Sequence, residues 1–301
     1  MSEPRTTVVI ATRNRAGELR HTLARLRALR PTPPIIVVDN ASTDATAAAV
    51  AEVAGVRLIR LPANRAAAAR NLGVVAATTP YVAFSDDDSW WAADALPAAE
   101  RLLDAHPSVG LLAARTLVGP GDTEDPINTL LATSPLGHQS ELPGPSVLGF
   151  LACAAIVRRT AFLRVNGFSR LLHFGAEERL LALDLAADGW DLCYAAELRA
   201  HHHPSTNRPP SAWRKDLERR NNTLIAWMRR PLPRVAAETR LLLREGDRRQ
   251  RSRIVAGLLR RLPSALWQRH RLPAEVERRV RVLERAEERS RQPWAATASP
   301  S

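Results

Sequence analysis

Cysteine is scarce in this sequence, and a long apolar run is missing. Only Cys153 and Cys193 occur among 301 residues, a number that excludes a disulfide framework and fits a reducing cytoplasm. The apolar stretch at residues 8–11 is too short for a signal-peptide core or a membrane span, and no later segment reaches spanning length without an arginine. We therefore expect a cytoplasmic protein, either free or held at the inner face of the membrane by its basic surface.

Lysine is almost absent as well, although the chain is strongly basic. Lys215 is the only lysine, so the net charge of +12 comes from arginine. Residues 245–301 hold 14 arginines and 7 acidic residues, which places most of the charge excess in the C-terminal part. An arginine bias of this kind is typical of a GC-rich genome rather than of a phosphate-binding surface. We therefore expect no nucleic-acid partner.

The first part of the chain alternates between strand-like and helical patterns. Short apolar runs that end in polar residues are followed by segments with apolar residues at helical spacing, such as GELRHTLARLRAL. This alternation predicts an α/β fold with a mostly parallel, Rossmann-like central sheet and helices on both faces. The four apolar runs are TTVVIATRN, PPIIVVDN, VRLIRLP and PYVAFSDDD.

Polar residues directly follow three of these four runs. Residues 12–14 follow the first run, Asp39 the second and residues 86–88 the fourth. Open sheets of this type bind ligands beyond the carboxyl ends of their strands. We therefore expect the three polar clusters to meet in one ligand site at that edge.

The rest of the chain divides into three parts. Residues 122–145 are rich in Pro, Gly, Ser and Thr, which predicts a long mobile loop that serves as a lid or an acceptor-binding surface. A helix that ends at Gly189 and a strand that ends in three histidines complete a domain of residues 1–205. Residues 206–301 are predicted to be an Arg-rich helical extension with a disordered tail. Its last amphipathic helix is expected to pack on the core of its own chain, and a homodimer or a peripheral membrane contact stays open.

Six segments within residues 7–204 occur in an order that carries a family resemblance. They are VVIATRNR, IIVVDNASTD, ARNLGVVAATTPYVAFSDDDSW, NGF, FGAEERLLALDLAADGW and HHH. Together they resemble the family 2 glycosyltransferases of the A-type glycosyltransferase fold. The resemblance implies inverting transfer of a hexose from a UDP-, GDP- or dTDP-linked donor in polysaccharide or glycoconjugate biosynthesis. It also implies a carbohydrate, lipid-linked or small-molecule acceptor and a divalent metal, Mg²⁺ or Mn²⁺.

Three adjacent carboxylates follow the apolar run YVAF at residues 86–88. They repel one another, so this position needs either open solvent or a cation. The resemblance places the D-x-D pattern of the family on Asp86 and Asp88. Asp88 is then the direct metal ligand, and Asp86 faces the ribose or the metal, so that the cation neutralises a diphosphate leaving group. The alternative is a solvated loop or a helix N-cap around residues 85–89; an EF-hand is excluded because its D-x-D-x-D-G spacing is absent.

A nucleotide site is also implied by the resemblance. Asp39 would accept a hydrogen bond from the base, and arginines along the same cleft would pair with phosphate or hold an acid in place. The alternative for Asp39 is the first residue of an Asx turn in DNAS. The predicted donor-binding residues are Thr12, Arg13, Asp39, Arg70, Asp86 and Asp87.

The general base is predicted in the segment FGAEERLLAL. Inverting transfer needs a carboxylate near the acceptor hydroxyl to take its proton. The family usually has Glu-Asp here, and alignment on Gly189 and Trp190 places Glu177 on the Glu and Glu178 on the Asp. We predict that Glu178 is the base and that Glu177 orients the acceptor, although the longer Glu side chain leaves the exchange of the two roles open. The alternative is an acidic helix N-terminus that favours the helix dipole.

The three histidines at the end of the last strand are candidate metal ligands. Alternation along a strand sends His201 and His203 to one face and His202 to the other. We predict that His203 meets the metal, with His201 as the second choice. The alternative is a set of partly exposed residues at the edge of the sheet.

Two other functions remain open from the sequence. A catalytically inactive nucleotide-sugar-binding or scaffolding protein of the same fold is one, because the Glu-Glu pair departs from the family pattern. A sugar nucleotidyltransferase is the other, but it would carry a Gly-rich phosphate loop after the first strand, and ATRNRAGEL contains none.

Overall fold

A computed structural model describes residues 3–205, 211–244 and 246–291. This part of the chain contains one central sheet of nine strands. The strands are β1 Thr6–Thr12, β2 Ile35–Asp39, β3 Val56–Arg60, β4 Tyr81–Ser85, β5 Ser89–Trp91, β6 Val109–Val118, β7 Thr123–Glu124, β8 Ala155–Arg158 and β9 Asp191–His202.

The sheet consists of a parallel half and a mixed half. The order of the strands is β3-β2-β1-β4-β8-β6-β9-β5, and β7 pairs with β6. β1 is parallel to its neighbours β2 and β4, and β2 is parallel to β3. β8 is antiparallel to β4 and to β6, whereas β9 is parallel to β6 and antiparallel to β5. The predicted fold class is confirmed, and the parallel arrangement is concentrated in the first four strands.

Helices cover both faces of the sheet. Since successive side chains of a strand point to opposite faces, one strand contributes buried residues to the core on each side. Val9 of β1 belongs to one buried cluster, together with residues of the third and seventh helices. Val8 and Ile10 belong to a second buried cluster, together with residues of the first and fourth helices. The helices are α1 Ala16–Arg27, α2 Thr46–Ala51, α3 Arg70–Ala76, α4 Ala95–Ala105, α5 Pro126–Ala132, α6 Arg159–Arg164, α7 Glu177–Ala187, α8 Ser211–Arg229, α9 Leu232–Arg244, α10 Arg248–Trp267 and α11 Ala274–Arg291.

Helix α3 packs very closely on β1. A side chain at Gly73 would place its Cβ 2.4 Å from Cγ1 of Val9, so the close approach requires glycine. This packing fixes the start of α3, from which Arg70 reaches Asp86 beyond the end of β4. A glycine in the middle of a helix therefore positions a charged residue of the candidate site.

The prediction of one irregular loop at residues 122–145 is wrong in part. β7 pairs with the end of β6, and α5 begins at Pro126. The side chain of Asp125 accepts a hydrogen bond of 2.9 Å from the backbone N–H of Ile127, which caps the helix. An N-cap aspartate followed by proline is a helix start signal, and the surrounding loop-like composition hides it.

Helices α8–α11 share their core with the sheet. Leu224 and Met228 of α8, Leu258 of α10 and Val280 of α11 belong to the same buried cluster as Val9. Among the described residues, no helix is long and apolar enough to span a membrane. The domain boundary at residue 205, the disordered tail and the cytoplasmic location stay predictions. Residues 206–210 and 292–301 lie outside the described residues.

Candidate active site

The three acidic residues form the tight turn between β4 and β5, and their carboxylates have different partners. Asp86 Oδ1 accepts a hydrogen bond from the guanidinium of Arg70. Asp87 Oδ2 accepts a hydrogen bond of 2.8 Å from Thr12 Oγ1, at the end of β1. The side chain of Asp88 is buried beside the end of β9. The turn is therefore not the solvated loop that the sequence left open as an alternative.

Asp87 connects this turn to β1 and α1 by hydrogen bonds. Its backbone carbonyl accepts a hydrogen bond of 2.8 Å from Thr22 Oγ1 of α1, in addition to the bond from Thr12. Burial, together with the charges of Asp86 and Asp88, raises the pKa of Asp87 to about 7, although the Thr12 hydroxyl opposes this shift. The turn thus concentrates negative charge that a bound cation would stabilise.

Asp88 lies next to the end of β9. β5 and β9 are antiparallel, with His202 opposite Ser89, and the backbone N–H of His203 donates a hydrogen bond of 2.8 Å to the carbonyl of Asp88. His202 Nε2 lies 3.4 Å from Asp88 Oδ1. Asp88 Oδ2 accepts a hydrogen bond of 3.0 Å from the backbone N–H of Ser205. The pairing of the two strands therefore brings one carboxylate and one imidazole together.

The other two histidines, one within β9 and one directly after its end, lie on the side opposite His202. His201 and His203 pack on Trp90, with ring centroids 5.7 Å and 4.6 Å away. His201 Nδ1 lies 2.8 Å from Asp122 Oδ1, and burial lowers the pKa of His203. The predicted alternation thus separates the three histidines as expected. However, the histidine beside Asp88 is His202, whereas the sequence-based choice of a metal ligand fell on His203.

Asp88 and His202 fit a divalent cation as an incomplete ligand set. A carboxylate oxygen and an imidazole nitrogen 3.4 Å apart can bind the same ion. Within the described residues, no group of three or more His, Cys, Asp or Glu side chains could hold a metal ion. Mg²⁺ is usually held by one or two carboxylates together with phosphate oxygens of a substrate. The pair therefore suits an ion whose remaining ligands come from a bound phosphate.

Asp39 is fully buried at the end of β2, opposite Thr12 in the register of β1 and β2. Its Oδ1 accepts a hydrogen bond of 2.9 Å from the backbone N–H of Ser42, as the Asx-turn alternative expects. Its Oδ2 accepts one of 3.2 Å from Nε of Arg60, a largely exposed side chain that can move away. Arg13, which follows Thr12, is exposed. The structure places Asp39 at the predicted edge with both of its oxygens hydrogen-bonded, so a ligand can reach Oδ2 only if Arg60 moves away.

Arg70 lies between the acidic turn and the start of α7. Its guanidinium binds Asp86 and lies 5.7 Å from the ring centroid of Phe168. Although burial opposes it, the charges of Asp86, Glu178 and Glu177 raise the pKa of Arg70. Its Nε is buried and has no hydrogen-bond partner within the described residues. The positive charge of Arg70 therefore interacts both with the acidic turn and with the two glutamates at the start of α7.

Glu177 and Glu178 begin helix α7, directly after a strained residue. Ala176 has a φ of +62°, in the left-handed region that only glycine adopts readily. Burial, aided by the charge of Glu177, raises the pKa of Glu178 to about 8, and Arg70 opposes this shift. Burial also raises the pKa of Glu177, whose Oε2 is buried without a hydrogen-bond partner among the described residues. Glu178 retains more solvent-accessible surface than Glu177, while the protein around its carboxyl group raises its pKa.

A buried asparagine of α8 holds the loop that precedes these glutamates. Asn221 Nδ2 donates hydrogen bonds to the carbonyls of Leu172, Phe174 and Gly175, at 3.0, 2.9 and 2.5 Å. Its Oδ1 accepts a hydrogen bond of 2.8 Å from Nη2 of Arg220. The C-terminal extension therefore fixes the path of the chain into Glu177 and Glu178.

Further contacts of α8 support this loop. Trp213 stacks on Phe174 with ring centroids 5.7 Å apart, and the guanidinium of Arg214 lies 5.3 Å from the centroid of the Phe174 ring. The sequence analysis missed this role of α8. A signal was present in the pair Asn221 and Asn222, because asparagine is a poor helix former and two in succession inside a helix need a reason.

Known proteins resemble this chain in sequence and in fold. A family model described as "Glycosyl transferase family 2" matches residues 7–165. The pre-mycofactocin glycosyltransferase of Mycobacterium tuberculosis, from two strains, is 35% identical over 213 residues, which cover 65% of this chain and 42% of that protein. The chain therefore spans less than half the length of these curated relatives. The mannosyltransferase PcManGT of Pyrobaculum calidifontis has a similar fold, with a TM-score of 0.59, 19% identity, and coverage of 97% of this chain and 89% of that one. TarS 1-349 of S. aureus gives a TM-score of 0.57 and 17% identity, and it covers 86% of this chain and 72% of that one.

Proposed function

Because this chain belongs to glycosyl transferase family 2, whose model matches residues 7–165, we propose that it transfers a sugar from a nucleoside diphosphate sugar to an acceptor hydroxyl with inversion. The family resemblance inferred from the sequence is thereby confirmed, and a sugar nucleotidyltransferase is no longer supported. One observation supports the proposal: Arg70 binds Asp86 and lies close enough to the two glutamates for their charges to raise its pKa, so the residues proposed for the donor and for the acceptor are adjacent.

The donor lies along the carboxyl edge of β1, β2 and β4. Asp39 receives the base, Thr12 and Arg13 flank the nucleotide, and Asp86 and Asp87 complete the pocket through Arg70 and Thr12. A UDP-, GDP- or dTDP-linked sugar is the proposed donor class. Support for this class comes from the similar folds, since PcManGT was solved with GDP-Man and Mn²⁺ and TarS 1-349 with UDP-GlcNAc.

Asp88 and His202 are the proposed ligands of a divalent cation, Mg²⁺ or Mn²⁺. When bound, this ion supplies charge neutralisation for the diphosphate leaving group. The chain itself prepares the position, because the Ser205 amide orients the Asp88 carboxylate and the pairing of β5 with β9 brings the imidazole of His202 to it. Asp86 stays with Arg70, which leaves Asp88 as the acidic residue for the ion.

Glu178 is the proposed general base. Its carboxylate takes the proton of the acceptor hydroxyl while the hydroxyl oxygen attacks the anomeric carbon from the face opposite the diphosphate. The pKa of Glu178, raised to about 8, makes it a stronger base than an ordinary carboxylate. Glu177 is proposed to act through its charge, which interacts with Arg70 and keeps the pKa of Glu178 high.

A donor panel tests this function. The purified protein is incubated with UDP-, GDP- and dTDP-sugars and Mn²⁺, with and without a mixture of acceptor sugars, and the release of nucleoside diphosphate is measured. We expect one donor to be consumed, and faster when an acceptor is present. Binding of a nucleotide without hydrolysis or transfer of any donor would instead support the inactive binding protein that the sequence left open.

Replacing Glu177 by glutamine is expected to retain activity within about tenfold and to move its pH dependence. The base must be deprotonated, so kcat/KM of the native protein rises with pH up to the raised pKa of Glu178, about 8. Removing the charge of Glu177 lowers that pKa, and the rise in kcat/KM moves to lower pH. The measurement is kcat/KM against pH for both proteins. An unchanged profile, or activity lost altogether, would contradict the assigned roles.

Replacing Asn221 by aspartate is expected to lower kcat by about 10- to 100-fold, because a misplaced base loses proximity to its substrate. A carboxylate in this position turns oxygen atoms toward the three loop carbonyls and has no N–H to donate, which destabilises the fold by about 1–3 kcal/mol. Kinetics are measured well below the unfolding temperature. We expect the KM of the donor to stay unchanged.

The matched control for this variant is Asn222→Asp on the same helix. Asn222 Oδ1 accepts a hydrogen bond of 2.9 Å from Arg179, so a carboxylate there keeps its partner. We expect the control to retain native kcat. If Asn221→Asp lowers the unfolding temperature but leaves kcat unchanged, Asn221 supports the fold only and does not position the glutamates.

A further inference from the structure

Helix α10 exposes a second apolar face in addition to the one that packs on the core. Ile254, Leu258 and Ala265 are buried, as expected for a helix on the surface of a domain. On the other side, Leu259, Leu266 and Trp267 are 58%, 45% and 88% exposed. An exposed tryptophan beside two exposed leucines is unusual for a surface that faces only water.

These side chains form one stripe along the helix. Pro263 is exposed as well. It lies four positions after Leu259, and Leu266 and Trp267 follow it by three and four positions. These spacings place all four side chains on one face of the helix. We call this stripe, made of Leu259, Pro263, Leu266 and Trp267, the α10 surface. It is narrow and apolar, and it lies in the C-terminal half of the helix.

One flank of the α10 surface is strongly basic. Arg249, Arg253 and Arg260 are exposed and follow one another at spacings of four and seven, which aligns them with Trp267. The sequence contains no acidic residue between positions 248 and 274. Exposed arginines beside an apolar stripe can extend their guanidinium groups past it while their methylene groups lie along it.

The basic flank of the α10 surface indicates which kind of partner this surface binds. A second copy of this chain, docked through the same surface about a two-fold axis, would bring the arginine flanks of both copies together, and like charges repel. A surface of anionic phospholipid offers the opposite charge along the flank and an interfacial layer that tryptophan favours. We propose that the α10 surface docks this protein on an anionic phospholipid membrane, with α10 in the plane of the interface and Trp267 inserted between the head groups. This inference is independent of the proposed enzymatic function.

Cosedimentation with vesicles tests the proposal. The full-length protein is mixed with vesicles of phosphatidylcholine alone, or of phosphatidylcholine and phosphatidylglycerol in equal amounts, and the bound fraction is measured at low and high salt. We expect binding to the anionic vesicles that weakens with salt, and little binding to the neutral ones. Equal binding to both vesicle types, or to neither, would overturn the proposal.

Variants locate the contact on the protein. Trp267→Ser is expected to weaken binding to the anionic vesicles about tenfold or more, and Arg260→Gln about fivefold. The matched controls are Leu241→Ser on α9, where the leucine is 50% exposed, and Arg101→Gln on α4, also exposed. Because all four side chains are exposed, unfolding temperatures should stay unchanged. Equal effects of the controls would overturn the assignment to α10. So would a dimer, detected by light scattering, that Trp267→Ser dissociates.

Discussion

Replacing Glu178 by glutamine is expected to lower kcat by about 10²- to 10⁴-fold while the affinity for the nucleotide stays within a few-fold of native. The amide keeps the size of the side chain and its place at the start of α7 but cannot accept the proton of the acceptor hydroxyl. Donor binding persists because the donor residues lie at the carboxyl edges of β1, β2 and β4. The measurement is steady-state transfer together with nucleotide titration of the same preparation.

Two controls make this result specific. Glu177→Gln removes the neighbouring carboxylate and should leave activity within about tenfold of native. Glu197→Gln changes an exposed glutamate of β9 and should have no effect. If Glu177→Gln abolishes transfer and Glu178→Gln does not, the two roles are exchanged. That outcome was left open by the sequence, because Glu stands where the family usually has Asp.

Replacing Asp88 by asparagine is expected to lower kcat/KM by about 10²-fold or more in the presence of Mn²⁺. Asparagine keeps an oxygen to accept the hydrogen bond from the Ser205 amide, so the end of β9 stays in place. What it removes is the negative charge beside His202, on which the proposed cation site depends. The measurement is kcat/KM against Mn²⁺ concentration, and the loss should not be recovered at high Mn²⁺.

Asp87→Asn is the matched control from the same turn. Asp87 is occupied with the hydroxyl of Thr12, and asparagine retains an acceptor for that hydrogen bond. We expect activity within about tenfold of native, because Asp87 holds the turn and does not bind the cation. Equal losses of kcat/KM for Asp87→Asn and Asp88→Asn would show that the turn acts through its total charge. The assignment of cation binding to Asp88 alone would then be wrong.

The sequence predicted which polar residues meet at one edge of the sheet, because local rules govern this placement. Parallel strands present their carboxyl ends at one edge, so Thr12, Asp39 and the acidic turn had to meet once the strands were recognised. The alternating direction of side chains along a strand also predicted that His202 lies on the other side from His201 and His203. Alternation cannot say which face turns toward Asp88, because that depends on the pairing of β9 with β5.

Other features depend on contacts between distant parts of the chain. β5 has only three residues, too few for a period to be read, yet its pairing decides which histidine meets Asp88. The reach of Asn221 to the carbonyls of residues 172–175 spans more than 40 positions and has no local signature. The mixed half of the sheet was likewise not foreseen, because the antiparallel pairing of β8 with β4 and β6 joins strands that are far apart in the sequence and has no local signature.

Burial also distinguishes residues that look alike in the sequence. Glu177 and Glu178 are adjacent acids, and so are the three aspartates of the turn. The structure gives each a different environment: Glu177 is buried near Arg70, whereas Glu178 is more open. Only the tertiary environment sets which carboxylate holds a proton, which one binds an arginine and which one meets a cation.

Calorimetric titration of UDP, GDP and dTDP, with and without Mn²⁺, on the native protein and on Asp88→Asn tests the central claim most directly. That claim is a donor site completed by a cation at Asp88 and His202. We predict that one nucleotide binds, that Mn²⁺ strengthens its binding at least about tenfold, and that Asp88→Asn removes the effect of Mn²⁺. Failure of every nucleotide to bind, or binding that neither Mn²⁺ nor Asp88→Asn changes, would contradict it.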